Sequence, residues 1–449
     1  MATTYLTKTF GSAGSLTTWT LSFWIKKTSN GIEQRIFSCD DNASGNNDQW
    51  MKFDSADIIQ FSQYQSGYTQ KIETNRKFRD TNGFYHIVLV WDTTNGAAGN
   101  RTRLYVNGVR ETSFSSEVQA SSSLGSLINN TTYPLEIGRR GNNNTQFFTG
   151  LLSHVHFIDG TAYDASAFGE TDTTTGEWVA KTSPSVTYGN NGFFILKDGN
   201  GITDQSGEGN NFTLGGGTLT DLKDNPDNVF CTLNPLEKQG STLSNGNNTS
   251  AHGSASWRSV ACTLGMQTGK FYYEAKLVSG SAGQLGIIRA DNFPSNIGAS
   301  AGLETNAIGN ITGALSVNFG DGSVQAAGGS GGTAQGFTIA AGDIVGCAVD
   351  ATNNKIYWSK NGVWGNSSNP ANGTNATTIA SNLTDYKPLL PAISVNNSTI
   401  STNFGNGYFG TTAITTNSNN GYSGAEGSSK FNYTVPTGYS ALSTKGLNE

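Results

Sequence analysis

The sequence predicts an all-β protein, two antiparallel β-sandwich (jelly-roll) domains in tandem, and three observations lead there. Apolar, strand-like runs recur every 8–15 residues with turn residues between them, the spacing of a sandwich. No stretch of 11 or more residues carries a helical apolar period. Finally, Gly reaches 57 residues while Pro stops at 9 and charged residues at 13%, a composition of tight turns and pleated strands. With 23 Phe, 16 Tyr and 8 Trp the chain has anchors for packed cores, so it is not a disordered polymer. At 449 residues it exceeds what one core holds.

The first series of strands runs LTTWTLSFWIKK (16–27), QRIFSCD (34–40), QWMKFDSADIIQFSQY (49–64), YHIVLVWD (85–92), TRLYVNG (102–108), PLEIGRR (134–140) and GLLSHVHFIDG (150–160). Several alternate apolar and polar, as strands with one wet face do. A passage with shorter strands follows, including NGFFILKDG (191–199) and the turn cluster DQSGEGNN (204–211). The second series opens at NVFCTLNPL (228–236) and continues through GKFYYEAKLV (269–278), GQLGIIRA (283–290) and GALSVNFGDG (313–322). DIVGCAVDA (343–351), NKIYWSKNG (354–362), KPLLPAISV (387–395) and TISTNFG (399–405) complete it. This divides the chain into a jelly roll (1–165), a connector (166–225), a second sandwich (226–408) and a C-terminal loop with a closing strand (409–449).

One design occurs twice. RLYVNGVRE (103–111) and KIYWSKNGVW (355–364) are alternating strands interrupted by Asn-Gly, each preceded by an apolar strand ending in an Asp/Thr/Asn turn. Asn-Gly suits a two-residue type I′ hairpin because both central positions need positive φ. Shared hairpin physics accounts for the echo without a duplication.

Charge and hydropathy exclude several function classes. A net charge of −6 with scattered Lys and Arg leaves no basic face for nucleic acid. No run of 18 apolar residues exists, so no membrane insertion is expected, and the first residues lack the plan of a signal peptide. The four cysteines (Cys39, Cys231, Cys262, Cys347) have no metal or redox spacing and read as buried reduced thiols.

In the second half, GKFYYEAKL, GDIVGCAVDATNNKIYWSKNGVW, YKPLLPAIS and STNFG follow in an order that resembles the SPRY domain. That resemblance implies a bent antiparallel sandwich that binds through its edge loops and has no general catalytic site. In the first half, TLSFWIKK, HIVLVWD, RLYVNGV and GLLSHVHFIDGTAYDASAF resemble the laminin-G-like and pentraxin-like branch of the concanavalin A-like jelly rolls. The connector, the FCTLNPL run (Phe230 to Leu236) and the closing KFNYTVPTGYSALSTKGL resemble virion-associated proteins of tailed phages, of marine type. The expectation is therefore a non-enzymatic virion structural protein on the particle surface, a homo-oligomer whose partners are other virion proteins and host surface polysaccharide. Alternatives are a tail-fibre receptor-binding adhesin and a polysaccharide-degrading enzyme.

Chemistry is sparse. Glycosidases of the concanavalin A-like fold pair their carboxylates on one strand face; Glu170-Thr171-Asp172 begins such a pattern, but Thr174 and Thr175 stand where the second Glu belongs. His154 and His156 share a strand face and are expected to look into solvent rather than hold zinc. Laminin-G-like and pentraxin-like relatives imply calcium, for which Asp40, Asp41, Asn46, Asn47 and Asp48 offer hard oxygen donors. The SPRY resemblance places edge loops at 252–257, 291–306, 326–336 and 363–376, with Trp257, Phe293 and Trp364 as aromatic contacts for a sugar or a protein.

Overall fold

The computed structural model describes residues 3–41, 46–141, 143–197, 201–291, 306–326, 329–385, 388–415 and 429–448. The chain forms two compact units, residues 1–221 with 225–227, and residues 222–224 with 228–449. The 166–221 part of the connector thus belongs to the first unit.

The first unit holds β1 (Tyr5–Lys8), β2 (Thr18–Lys27), β3 (Gln34–Asp40), β4 (Asn47–Phe53), β5 (Ile58–Gln65), β6 (Tyr68–Lys77), β7 (Tyr85–Asp92) and β8 (Thr102–Val106). It continues with β9 (Val109–Arg110), β10 (Phe114–Val118), β11 (Leu135–Ile137), β12 (Gly150–Asp159), β13 (Gly169–Thr171), β14 (Trp178–Ala180), β15 (Phe193–Ile195) and β16 (Thr213–Gly216). An eight-stranded sheet in the order β10-β6-β5-β4-β3-β11-β1-β16 lies against a six-stranded one, β15-β12-β2-β7-β8-β9. The run 49–64 is two strands, not one, because the chain turns at Asp54 to Asp57, where Asp57 has φ of 64°.

Strand alternation builds the core. Trp19, Leu21, Phe23 and Ile25 of β2 and Ile87, Leu89 and Trp91 of β7 point inward. Trp19 and Trp91 are register partners whose rings stack 6.0 Å apart. The intervening Val88 and Val90 point outward, yet they too are buried, with Ile158. A strap, residues 161–192, lies over this outer face with Tyr163, Phe168, Trp178 and Tyr188. His86 and His156 are under the same cover and His154 packs beside Phe194, each no more than 4% exposed. The expectation of a solvent-facing histidine pair is thereby corrected. A register shift between Ser153 and His156 re-aims the strand, with His154 at φ of 48°.

The second unit holds β17 (Leu233–Lys238), β18 (Thr242–Ser244), β19 (Thr249–His252), β20 (Arg258–Cys262), β21 (Lys270–Ser279), β22 (Ala282–Arg289), β23 (Ala314–Asn318), β24 (Val324–Ala326) and β25 (Gly329–Gly332). Then come β26 (Ile344–Asp350), β27 (Lys355–Lys360), β28 (Val363–Trp364), β29 (Thr377–Thr378), β30 (Leu389–Asn396), β31 (Ser398–Asn403), β32 (Tyr408–Phe409), β33 (Thr412–Ala413) and β34 (Ser440–Ala441). One sheet runs β17-β20-β30-β22-β23-β24-β25, the other β18-β19-β31-β21-β26-β27-β28, with β34 adding to β21 in parallel. The two sheets are tied by polar handles in the core: Trp358 Nε1 donates to the Leu285 carbonyl at 3.1 Å and the Tyr273 hydroxyl to that of Gly286 at 3.0 Å. All four cysteines are buried free thiols, as the sequence suggests.

The outer face of β21, β26 and β27 presents Tyr272, Ala348 and Tyr357, and the C-terminal segment covers it with Phe431, Val435, Tyr439 and Ala441. Residues 229–231 and 442–444 of the unit meet edge to edge. Phe230 bridges Ser443 antiparallel, Cys231 N donates to Leu442 O at 3.0 Å, and Thr444 N to Val229 O at 2.9 Å.

Candidate functional site

The repeated Asn-Gly hairpin is where the second unit offers a site. Asn361 and Gly362 take φ of 49° and 81°, and Lys360 pairs with Val363 across them, as a type I′ turn requires. Asn361 fixes the tip with its side chain: Oδ1 accepts the Ile344 N–H at 2.9 Å and Nδ2 donates to Asp343 Oδ1 at 2.7 Å. Beyond the tip, Val363 is 72% exposed and Trp364 is half-buried, its ring held edge-on by Tyr272 and Tyr357 at 6.3 and 6.5 Å.

The facing wall comes from the C-terminal segment. Glu274 on β21 is almost wholly buried, and two backbone N–H groups of that segment converge on its carboxylate, Asn432 at 2.9 Å and Tyr433 at 2.8 Å. Asn403 Nδ2 and the Tyr272 hydroxyl add to it at 3.2 and 3.1 Å. Burial pushes the Glu274 carboxyl up to about 7, against the pull of these donors. Tyr433 is thereby set over Gly362, where an added Cβ would come within 2.7 Å of its ring.

Between these walls lies an open cleft of about 450 Å³, lined among others by Trp364, Tyr433, Pro370, Pro436, Asn361 and Asn369. Apart from the Tyr433 phenol, no lining side chain is ionisable. Rings and proline faces alternate with amides and the hydroxyls of Thr434 and Thr437, so the cleft suits an uncharged ligand that has both an apolar face and hydroxyl groups.

Of the three aromatics singled out in the sequence, only Trp364 lines this cleft. Trp257 precedes β20, half-buried, with its carbonyl bound to Arg258 Nη1 at 2.9 Å. Phe293 lies outside the described residues, as does most of its loop. The 326–336 edge loop is partly strand, since β25 pairs with β24. Tyr433 and Pro436 were not singled out. Their signal was the closing motif, whose apolar spacing gives no hint of what it packs against.

Several of the oxygen donors proposed for calcium are engaged with protein groups. Asp40 and Asp48 are cross-strand partners in β3 and β4, and Asp48 Oδ1 accepts from Arg35 Nη1 at 2.7 Å with Arg140 3.9 Å from Oδ2. Burial raises the Asp48 carboxyl while Arg35 pulls it down. Asp41 Oδ2 accepts from Asn47, through the backbone N–H at 3.3 Å and the side chain at 3.4 Å. Asn46 bonds Ser66 N through its carbonyl at 3.2 Å. A cation at Asp48 would have to displace a guanidinium. Among the described residues no group of three or more His, Cys, Asp or Glu is gathered for a metal. The Glu170 and Asp172 pair is a turn on the β13–β14 hairpin, where Asp172 Oδ1 accepts the Thr174 and Thr175 N–H groups at 2.8 and 2.7 Å.

Comparison with known proteins agrees with both architectures. Residues 2–168 match the model of the concanavalin A-like lectin/glucanases superfamily, in its laminin G form, and residues 270–407 match the SPRY domain. The chain thus carries two binding-type domains. Among solved structures it is similar to the SPRY domain of human HERC1 (16% identity, 38% of this chain and 96% of that one, TM-score 0.28). It is also similar to the heptameric SAP-like pentraxin of Limulus polyphemus (17%, 40% and 87%, TM-score 0.28) and to the TRIM65 PSpry domain (16%, 38% and 91%, TM-score 0.26). No curated protein matches the chain.

Proposed function

We propose that the chain is a non-enzymatic surface component of a tailed-phage particle, a homo-oligomer that binds host-surface glycan through the cleft beside Trp364. The observation that carries the binding reading is the cleft itself. Trp364, Tyr433, Pro370 and Pro436 offer apolar surface to the C–H face of a sugar, and Thr434 and Thr437 offer hydroxyls to its own, with no charge to demand an ionic ligand. The particle assignment is supported by the resemblance of the Phe230-to-Leu236 run and of the closing motif to virion-associated proteins.

Immunogold labelling of purified virions tests the address. Gold on the particle surface supports it, and unlabelled virions refute it. A neutral-glycan array tests the cleft. A hit that Trp364→Ala abolishes without lowering the second unit's melting temperature supports the reading, and undiminished binding by that variant removes the cleft from it.

A further inference from the structure

We infer that the strap over the first unit's six-stranded sheet is an acid-released latch, closed by the bond that Trp178 donates to His86 and by the contact of the Tyr188 hydroxyl with His156. Trp178 Nε1 donates to His86 Nδ1 at 2.9 Å. An indole nitrogen can only donate, so His86 Nδ1 must be bare, and the proton of the neutral ring sits on Nε2, facing Ser22 Oγ at 2.9 Å. A second proton on His86 would set N–H against N–H and break the contact. His156 Nδ1 meets the Tyr188 hydroxyl at 2.9 Å, again a strap residue on a buried imidazole.

Among the described residues no carboxylate acts on either imidazole. His86 faces Ser22 and the Trp24 ring of β2 (4.8 Å), His154 of β12 and Trp178 of the strap. His156 faces His154, His86, Phe168, Tyr188, Phe194 and Lys197, and the Asp204 carboxylate acts on Tyr188. Lys197 and His154 both oppose protonation. Accordingly burial holds His86 down at about 3 and His156 well below the usual range. With the strap lifted, both rings reach water and titrate near 6.5.

The sign follows from that difference. A group whose docked pKa lies below its released value binds protons on release, so docking is complete above pH 6.5 and is lost as pH falls. Each histidine weakens the latch about tenfold per pH unit below 6.5, and the two together about a hundredfold. What lifts is a cover over Val88, Val90 and Ile158, so acid bares an apolar stripe on the outside of the jelly roll.

Hydrogen exchange of the full chain, corrected for intrinsic rates, tests this on strap peptides from 163–188 between pH 7 and 4.5. Protection of the strap should fall by about a hundredfold per pH unit while β3–β5 stay protected. His86→Gln keeps an acceptor for Trp178 but cannot titrate, and should reduce the slope to about tenfold; the double variant with His156→Gln should flatten it. Strap protection that is constant with pH, a slope unchanged in the variants, or simultaneous loss across both sheets would each overturn the latch.

Discussion

Asn107 and Asn361 perform the same task in two separate sandwiches. Asn107 Oδ1 accepts the backbone N–H of His86 at 2.8 Å, and Asn361 Oδ1 accepts that of Ile344 at 2.9 Å. Each asparagine also donates its own N–H back to that residue's carbonyl, at 2.9 and 2.8 Å. The following glycine in each case lies under an aromatic ring from the segment that leaves the sandwich, Trp178 over Gly108 and Tyr433 over Gly362. The hairpin recurs because its tip is a mould: a positive-φ glycine with no Cβ leaves room for a ring to clamp the next stretch of chain.

Replacing either glycine should therefore do more than strain a turn. Gly108→Ala and Gly362→Ala each impose about 1–2 kcal/mol for a left-handed alanine. Each also drives a methyl against a ring, at 2.6 Å from Trp178 or 2.7 Å from Tyr433. Thermal melts should show one unit lowered per variant, and limited proteolysis should cut the strap in the first and the C-terminal segment in the second.

Asp57 is the most exacting charge in the first unit. Lys27 Nζ, fully buried, donates to its Oδ1 at 2.8 Å and to the Phe78 carbonyl at 2.9 Å. Burial works to raise the Asp57 carboxyl, but Lys27, the Gly31 N–H and Arg79 outweigh it and hold it low. Asp57→Ala strands a buried ammonium and should cost about 3–5 kcal/mol in denaturant unfolding of that unit. Lys27→Met with Asp57→Leu should recover most of it, and a loss equal to the single variant would contradict this account.

The two units should respond to pH in opposite senses. Glu274 is raised from 4.5 to about 7 by burial, so the folded second unit binds a proton more tightly than its unfolded chain. The Glu274 contribution to its stability is greatest below about pH 4.5 and falls as pH rises to 7, by up to about 3 kcal/mol. The first unit, with its neutral buried histidines, loses stability in the other direction, as pH drops below 6.5. Calorimetry between pH 5 and 8 should resolve two transitions that converge or diverge with pH, and parallel shifts would rule this out.

What could be read from the sequence was local. Alternation, spacing and Asn-Gly gave both sandwiches, both type I′ tips and the buried cysteines, because each depends on neighbours a few residues away. A solvent-facing His154 and His156 pair does not form because His156 is covered by Phe168 and Tyr188 and His154 packs beside Phe194, all downstream along the chain. Trp364 was recognised as an aromatic beside a turn, but its partner Tyr433 is held by Glu274, 159 positions away in sequence. Asp48 looked like a loop oxygen donor, and nothing local says that Arg35 and Arg140 will reach it.

The meeting of residues 229–231 with 442–444 has a mechanical meaning. Residues 229–231 and 442–444 run antiparallel, so a pull applied at their Val229 and Thr444 ends loads their bonds in series: Thr444 to Val229, then Cys231 to Leu442. Such a seam peels one bond at a time at low force instead of shearing all at once. Pulled from those two ends the seam should pay out a few residues of slack, like a hem unstitching, before its load reaches the sheets behind it.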